Sequence, residues 1–509
     1  MSSNRTKESA KSFLFTIILQ LEKIIIGFII PQLFLRTYGP EIHGLTSSIT
    51  NILSYLTLVN AGLGTASIQA LYAPLGRKDS HETNAVLNAV SRFYRQTGIA
   101  YSILVVLMAF ILPSVVGNQV ESITVIVLMI VMGSSGVLGY ILQAEYKVLL
   151  QADQKLYVVS VVNVIIMALN SIFQVVLILY KVHIIFVQLV PVATIIVSFV
   201  LFRRYVLKNY GYLDRKIAAN MKALSKRWSA FTHQIAGLVV NNIPILLLTV
   251  CIRDLVLVSI YSVYQLVFRE LYLLMTSVFS QATVASFGQL GAVSDYESIK
   301  RNYKLYEYAF YMTVSVVYSV SSVMILSFVD LYTISVKGVQ YVDEKLAVLF
   351  IIVGIANNLR VPGVTMINAY GLYKETQWRA ILEAMINFVV SVAMIQIIGI
   401  YGVLFGALAS FTYRTLDIIL YSNARILKQS SKVTLFRALR VIVIVVINLL
   451  FFKFVFNLQS SNWMHWFVNA TIVGGCSCCL TFAINYIIEP KTAKDIFTMT
   501  KAVFLKRRV

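Results

Sequence analysis

The chain has 509 residues, of which 58% are hydrophobic and only 13% are charged, and its mean hydropathy is +0.79. A soluble protein of this length needs far more charge to cover its surface, so this composition implies a chain solvated by lipid, with no soluble domain left over. The formal charge of +21 suggests nucleic acid, but the Lys and Arg sit in short connections between apolar stretches, which marks membrane topology and anionic headgroups as partners and no nucleic acid.

The polar, basic start (Ser2 to Lys11) has no small-residue cleavage site and reads as a retained cytoplasmic end. Apolar stretches long enough to cross a bilayer then recur throughout. They predict fourteen spans, at 13–36, 44–71, 97–116, 120–143, 157–180, 183–202, 230–252, 255–290, 305–328, 346–370, 380–399, 401–422, 438–457 and 464–487. Alternate connections hold most of the basic residues. The sparse set has only Arg36, Lys181, Arg253, Lys337, Lys345 and Lys453, a bias of about five to one. Both termini are therefore expected in the cytoplasm of a multi-pass protein of the cell membrane.

The longest connection, 203–229, carries Arg203, Arg204, Arg215, Lys216, Lys222, Lys226, Arg227 and Trp228 among apolar residues. It predicts a basic amphipathic cytoplasmic linker, a short helix on the inner headgroups. Pro31 and Glu41 recur as Pro244 and Asp254, and Ala152 and Asn170 recur as Ala369 and Asn387, at a nearly constant offset along the chain. The organisation expected is all-α: a six-helix lobe (1–202), the linker (203–229), a second six-helix lobe (230–424), then two further spans and a basic tail (425–509). Six spans is an even number, so the two repeats share an orientation.

Ionisable residues at membrane depth are functional candidates. The basic ones are Lys23, Arg269, Arg360 and Arg414; the acidic ones are Glu22, Glu270, Glu383 and Asp417. Arg414 and Asp417 are spaced to pair on one helix face. Glu22/Lys23 and Arg269/Glu270 are chain neighbours that point to different faces, so one member of each pair is expected to reach another helix or a cavity. Lys23, Arg269 and Arg360 then either line a cavity or hold the fold.

Pro31, Pro191, Pro244 and Pro362 lie inside spans and are expected to kink them. The tyrosines at 261, 264 and 272 and at 303, 306, 308, 311 and 318 read mostly as an interfacial belt, with a minority free to stack on sugar rings. Cys251, Cys476, Cys478 and Cys479 lack metal-ligand or redox spacing and read as small buried apolar residues. The histidines at 43, 81, 183, 233 and 465 form no catalytic or metal pattern. No enzyme activity, metal or cofactor is expected. No nucleotide-binding loop occurs, which leaves a substrate gradient, membrane potential or antiported ion as the energy source.

Four stretches together resemble one family. They are TYGPEIHGL (Thr37–Leu45); NAGLGTASIQALYAPLGRKDS with NAVLNAVSRFYR (Asn60–Arg95); VSIYSVYQLVF (Val258–Phe268); and LRVPGVTMINAYGLYKETQWRAILEAMINFVVS with GIYGVLFGALASFTYR (Leu359–Arg414). The chain resembles the polysaccharide transporter family, the Wzx-type flippases of the multidrug/oligosaccharidyl-lipid/polysaccharide exporter superfamily.

The resemblance implies a two-lobed alternating-access bundle that flips undecaprenyl-pyrophosphate-linked oligosaccharide to the outer leaflet for surface polysaccharide synthesis. A basic cavity between the lobes would be lined here by Lys23, Arg36, Arg269 and Arg360. A polysaccharide polymerase and other assembly proteins are further candidate partners. Two alternatives stand beside it. One is a multidrug exporter of organic cations, for which Glu22, Glu270 and Asp417 supply carboxylates. The other is an integral-membrane polymerase or ligase, against which the short outward loops argue.

Overall fold

The computed structural model describes residues 2–60, 63–224, 242–279, 281–292, 296–455 and 460–506. Lys226, Arg227 and Trp228 of the linker, His233, the first part of the predicted seventh span (230–241) and Arg508 lie outside these residues. The described residues are helical almost throughout and contain no strand.

In chain order the helices are α1 (Ser2–Leu56), α2 (Leu63–Arg77), α3 (Ser80–Val116), α4 (Ser122–Leu138), α5 (Ala144–Ala152), α6 (Leu156–Leu179) and α7 (Ile184–Asn209). They continue with α8 (Asn242–Ile252), α9 (Leu255–Phe279), α10 (Gln281–Ala292), α11 (Tyr296–Thr333) and α12 (Glu344–Leu359). The last are α13 (Val361–Ala369), α14 (Tyr373–Ile398), α15 (Ile400–Tyr421), α16 (Lys432–Val455), α17 (Trp463–Ile488) and α18 (Pro490–Lys506). Among the described residues eleven helices are long and apolar enough to cross a membrane, and each coincides with a predicted span. Of the other three predicted spans, one falls on α1, one on α1 with α2, and one ends in α8. Side-chain caps set several starts: Asp79 accepts from the Glu82 N–H, Asp343 from Leu346 and Asn462 from His465, at 2.9–3.0 Å.

The chain forms two compact units, Met1–Ser262 and Val263–Val509. In the first, one core gathers Leu71, Val90, Leu149 and Phe202, and another gathers Leu45, Ile49, Leu128, Val187 and Leu255. Backbone meets backbone where Gly44 packs on the Leu255 carbonyl, since a Cβ there would lie 1.9 Å from the oxygen. His43 Nδ1 with Ser259 Oγ (2.8 Å) joins α1 to α9 again, and Ser48 with Thr249 (2.7 Å) joins α1 to α8. In the second unit Phe287, Ile299, Met366 and Ile418 form one core, and Tyr264, Phe350, Phe268 and Tyr318 stack in a row.

Left-handed backbone punctuates both repeats at matching places. Gly39 (φ 86°), which breaks α1, matches Arg253 (φ 58°) between α8 and α9. Gln154 (φ 61°) after α5 matches Gly371 (φ 66°) after α13, and Lys181 (φ 54°) matches Gly399 (φ 59°). The span α4–α5 contains a π-turn over Gly139–Gln143, and at the corresponding place of the second repeat α12 gives way to α13 at Arg360. The faint repetition in the sequence is thus a repetition of helix breaks.

Three expectations are corrected. Residues 203–209 of the linker continue α7, 210–220 form turns and Met221–Leu224 make a single 3₁₀ turn, so the described part of the linker holds no separate amphipathic helix. Side chains of α3 capture the linker backbone: Asn84 Nδ2 donates to the Tyr212 carbonyl and Asn88 Nδ2 to those of Asp214 and Ile217, while Arg215 binds the buried Glu145 with two hydrogen bonds. These bonds replace helical ones.

The tyrosines are mostly core, because Tyr261, Tyr264, Tyr303, Tyr308, Tyr311 and Tyr318 are all buried. Several hydroxyls find partners inside, such as Tyr311 on the Leu359 carbonyl (2.7 Å). Of the cysteines, Cys251, Cys478 and Cys479 are exposed and only Cys476 is half-buried. A small apolar thiol is as well suited to lipid as to a core.

Candidate functional site

The site begins with a broken helix. Pro362 has no N–H to donate, and the Arg360 N–H turns back to the Asn358 carbonyl. That frees the Ala356 carbonyl, which accepts from Thr415 Oγ1 at 2.7 Å, while Leu359 accepts from Tyr311. Side chains of α15 and α11 thus brace the break, and Arg360 projects from it.

Around Arg360 the second unit builds an alternating chain of charge. Arg360 pairs with Glu383 on α14; Glu383 Oε2 lies 3.4 Å from Arg414 Nε on α15; Arg414 Nη1 lies 2.8 Å from Asp417 Oδ2; and Asp417 pairs with Arg379 on α14. The rings of Phe411 and Tyr421 lie 4.8 Å from the Arg360 and Arg379 guanidiniums. Side-chain exposure rises along the chain, from 7% at Glu383 to 35% at Arg379, so the Arg379 end is the open one.

Counting the helical span of α15 on through its terminal π-turn to Ile426, Arg360, Glu383, Arg414 and Asp417 lie about 14–18 Å from the same end of their helices, at 1.5 Å per residue. Four groups from three helices thus form one layer, about one helical turn thick. Three guanidiniums face two carboxylates, which leaves one positive charge in a low-dielectric setting.

The remaining sequence candidates are placed as follows. Arg269 pairs with its chain neighbour Glu270 at 2.9 Å, although chain neighbours start from different faces of the helix. The long Arg269 side chain reaches around the helix to the adjacent carboxylate, which leaves Glu270 buried and the Arg269 side chain 63% exposed. Tyr272, one turn further along α9, lies beside Arg360. In the first unit Lys23 and Arg36 are exposed and Glu22 is half-buried, with Oε2 accepting no hydrogen bond from the protein.

A second charge cluster is not apparent from the sequence. Arg437 on α16 is 1% exposed and binds Glu307 on α11 at 2.8 Å and Glu489 at 2.5 Å; Arg440 binds Glu489 at 2.8 Å. Burial pushes the Glu489 carboxyl up, but bonds and charge from both arginines outweigh it and hold it at about 2. In the sequence Arg437 and Arg440 belong to the basic connection after the twelfth span, and Glu307 stands at the edge of the ninth. The i,i+3 spacing of the two arginines, with the apolar run that follows, is the signal that could have found them. Arg379 is hidden for the same reason: span-end basic residues read as topology markers.

No protein-family model and no curated protein matches the sequence. Solved structures do. An inward-facing multidrug resistance MATE family transporter of the MOP superfamily superimposes with a TM-score of 0.64 at 14% identity, covering 80% of this chain and 98% of its own. The lipid II flippase MurJ in an inward closed conformation gives 0.63 at 15% identity, covering 93% and 99%. An outward-facing MATE family transporter gives 0.55 at 14% identity, covering 81% and 95%. At such identities the likeness is one of fold: this chain is a multi-pass membrane protein with the all-helical architecture of these transporters.

Proposed function

We propose that the protein is a flippase that moves undecaprenyl-pyrophosphate-linked oligosaccharide across the cytoplasmic membrane for surface polysaccharide synthesis. The observation that carries this reading is the excess of guanidinium over carboxylate in the buried layer of the second unit. A pyrophosphate bears negative charge that is costly to desolvate, and a fixed positive excess at membrane depth lowers that cost. An exporter of organic cations needs the opposite balance. Arg360, paired but partly accessible, and Arg269, with its exposed fork, are the proposed headgroup contacts, with Lys23 and Arg36 contributing from the first unit. Lobes 1–202 and 230–424 are proposed to alternate the access of this path.

The test is a deletion strain. Lipid-linked oligosaccharide should accumulate on the cytoplasmic leaflet and surface polysaccharide should vanish, while resistance to cationic dyes stays unchanged. Arg360→Lys should restore export only in part, since an ammonium keeps the charge and loses the fork that grips phosphate oxygens. Reporter fusions after residues 80, 215 and 430 should report cytoplasm, and fusions near 118, 182 and 340 the outside.

A second reading, organic-cation export by ion antiport, draws on Glu22, the carboxylate whose Oε2 no protein group satisfies. Dye sensitivity of the deletion strain with normal polysaccharide would select it.

A further inference from the structure

Helices α11, α16 and α17 pack together, and the last two lie outside the repeats. Six buried side-chain atoms on these helices make no hydrogen bond within the protein: Tyr308 OH, Ser319 Oγ, Arg440 Nη1, Asn448 Oδ1, Ser477 Oγ and Thr481 Oγ1. They are six of the thirteen such atoms among the described residues, so the deficit is concentrated here. Ser319, Asn448, Ser477 and Thr481 are fully buried, and Tyr308 and Arg440 nearly so. Buried polar atoms are costly when unsatisfied, and native proteins satisfy them with protein or bound water.

Register puts the six atoms in one column. The Arg437–Glu307 ion pair fixes α16 beside α11, and the same offset brings Asn448 level with Ser319 to within a residue. Trp466 Nε1 on the Met324 carbonyl, and Gly474 against Val320, set the antiparallel α17. That register puts Ser477 near the level of residue 315 and Thr481 near 311, with Arg440 at the level of Thr481 and its guanidinium 5.7 Å from the ring of Tyr308, about one turn below. Successive levels are about four residues, or about 6 Å, apart. That is the span of two hydrogen bonds through one water.

The chemistry along the column is ordered. Asn448 Nδ2 is engaged on the Ile444 carbonyl, so Oδ1 presents an acceptor at one end. Arg440 Nη1 presents a donor at the other, beside the Arg437–Glu307–Glu489 cluster, and the hydroxyls between can both donate and accept. Met324, Phe452 and Val473 close the Asn448 end with an apolar plug.

We propose that this seam is a binding site for a file of water, closed at the apolar plug and ending at the buried ion cluster. The two helices outside the repeats thus dock on α11 through bound water along this column, in addition to the apolar plug and the direct ion pairs at its ends. A brief X-ray radiolysis pulse on the full chain in nanodiscs, read by mass spectrometry, tests this, because bound water oxidises the side chains beside it. Tyr308 should be labelled at several times the rate of Tyr264, which is equally inaccessible but whose hydroxyl is satisfied by the backbone of Tyr341 and Asp343. Equal background labelling of the two tyrosines would overturn the proposal. As a second arm, Thr481→Val should lower the thermal midpoint if the hydroxyl holds water. A raised midpoint would mean that the seam is dry, since the variant then only removes an unsatisfied group.

Discussion

Residues 139–209 and 356–426 are corresponding stretches of the two repeats, and they differ in one respect. Both have a span broken just past its middle, followed by a left-handed residue and two packed helices. At the positions of Arg360, Arg379, Glu383, Arg414 and Asp417, however, the first repeat has Gln143, Val162, Ile166, Val197 and Val200. Gln143 is buried at its break, with Nε2 on the Ile195 carbonyl at 2.9 Å, so an amide there meets a need of the backbone. Val197 is 43% exposed whereas its counterpart Arg414 is buried, held in place by two carboxylates. The backbone pattern therefore does not require the charges. The fold tolerates either filling, and the charged layer is a feature added to one repeat.

The sharpest way to break this comparison is to write the first repeat into the second. A chain with Arg360→Gln, Arg379→Val, Glu383→Ile, Arg414→Val and Asp417→Val should accumulate in the membrane at the normal level, since apolar replacement of a whole buried ion network is often neutral or stabilising by about 1–4 kcal/mol. Polysaccharide export should be abolished. Normal export by that chain would make the layer structural.

Removing one member is predicted to be worse for the fold than removing all. Glu383→Ala leaves Arg360 and Arg414 without their shared carboxylate and should cost about 3–5 kcal/mol, read as a fall in the unfolding midpoint in detergent. Ile166→Ala at the matched position should cost about 2–5 kcal/mol if that site is closely packed, and less because it is only half-buried. Equal costs in the two variants would erase the distinction between the repeats.

The cluster outside the repeats adds a pH signature. Glu489 is held at about 2 in the folded chain against an ordinary 4.5. A depressed carboxyl contributes stability that is full above the unfolded value and is lost as pH falls from about 4.5 toward about 2, up to about 3 kcal/mol. The wild type minus Glu489→Gln difference in stability should shrink across that window, and a flat difference would contradict the assigned ion pairs.

The smallest effects test the shared punctuation. Gly371→Gln places a side chain at φ 66° and should cost about 1 kcal/mol, whereas Gln154→Gly at φ 61° should be neutral or stabilising by a few tenths. Both follow from thermal midpoints of single variants.

The membrane class, the place of eleven spans among the helices observed and the two-fold repetition were all legible in the chain, because apolar length and the cost of an unpaired backbone in lipid are local properties of it. The sequence also exposed Arg360, Glu383, Arg414 and Asp417, since charge inside an apolar run is conspicuous at any register. Apart from the i,i+3 pair Arg414–Asp417, the partners of these charges were set by packing between helices. Arg379 joins the layer across two helices, Arg437 finds Glu307 from a distant part of the chain, and Arg269 folds back on its own neighbour. Tertiary packing also sent the tyrosines to the core and unwound the linker onto Asn84 and Asn88. Ion pairs and side-chain hydrogen bonds depend on separations of about 3 Å between groups distant in the chain, and periodicity along one helix carries no information about the rotation or height of its neighbour.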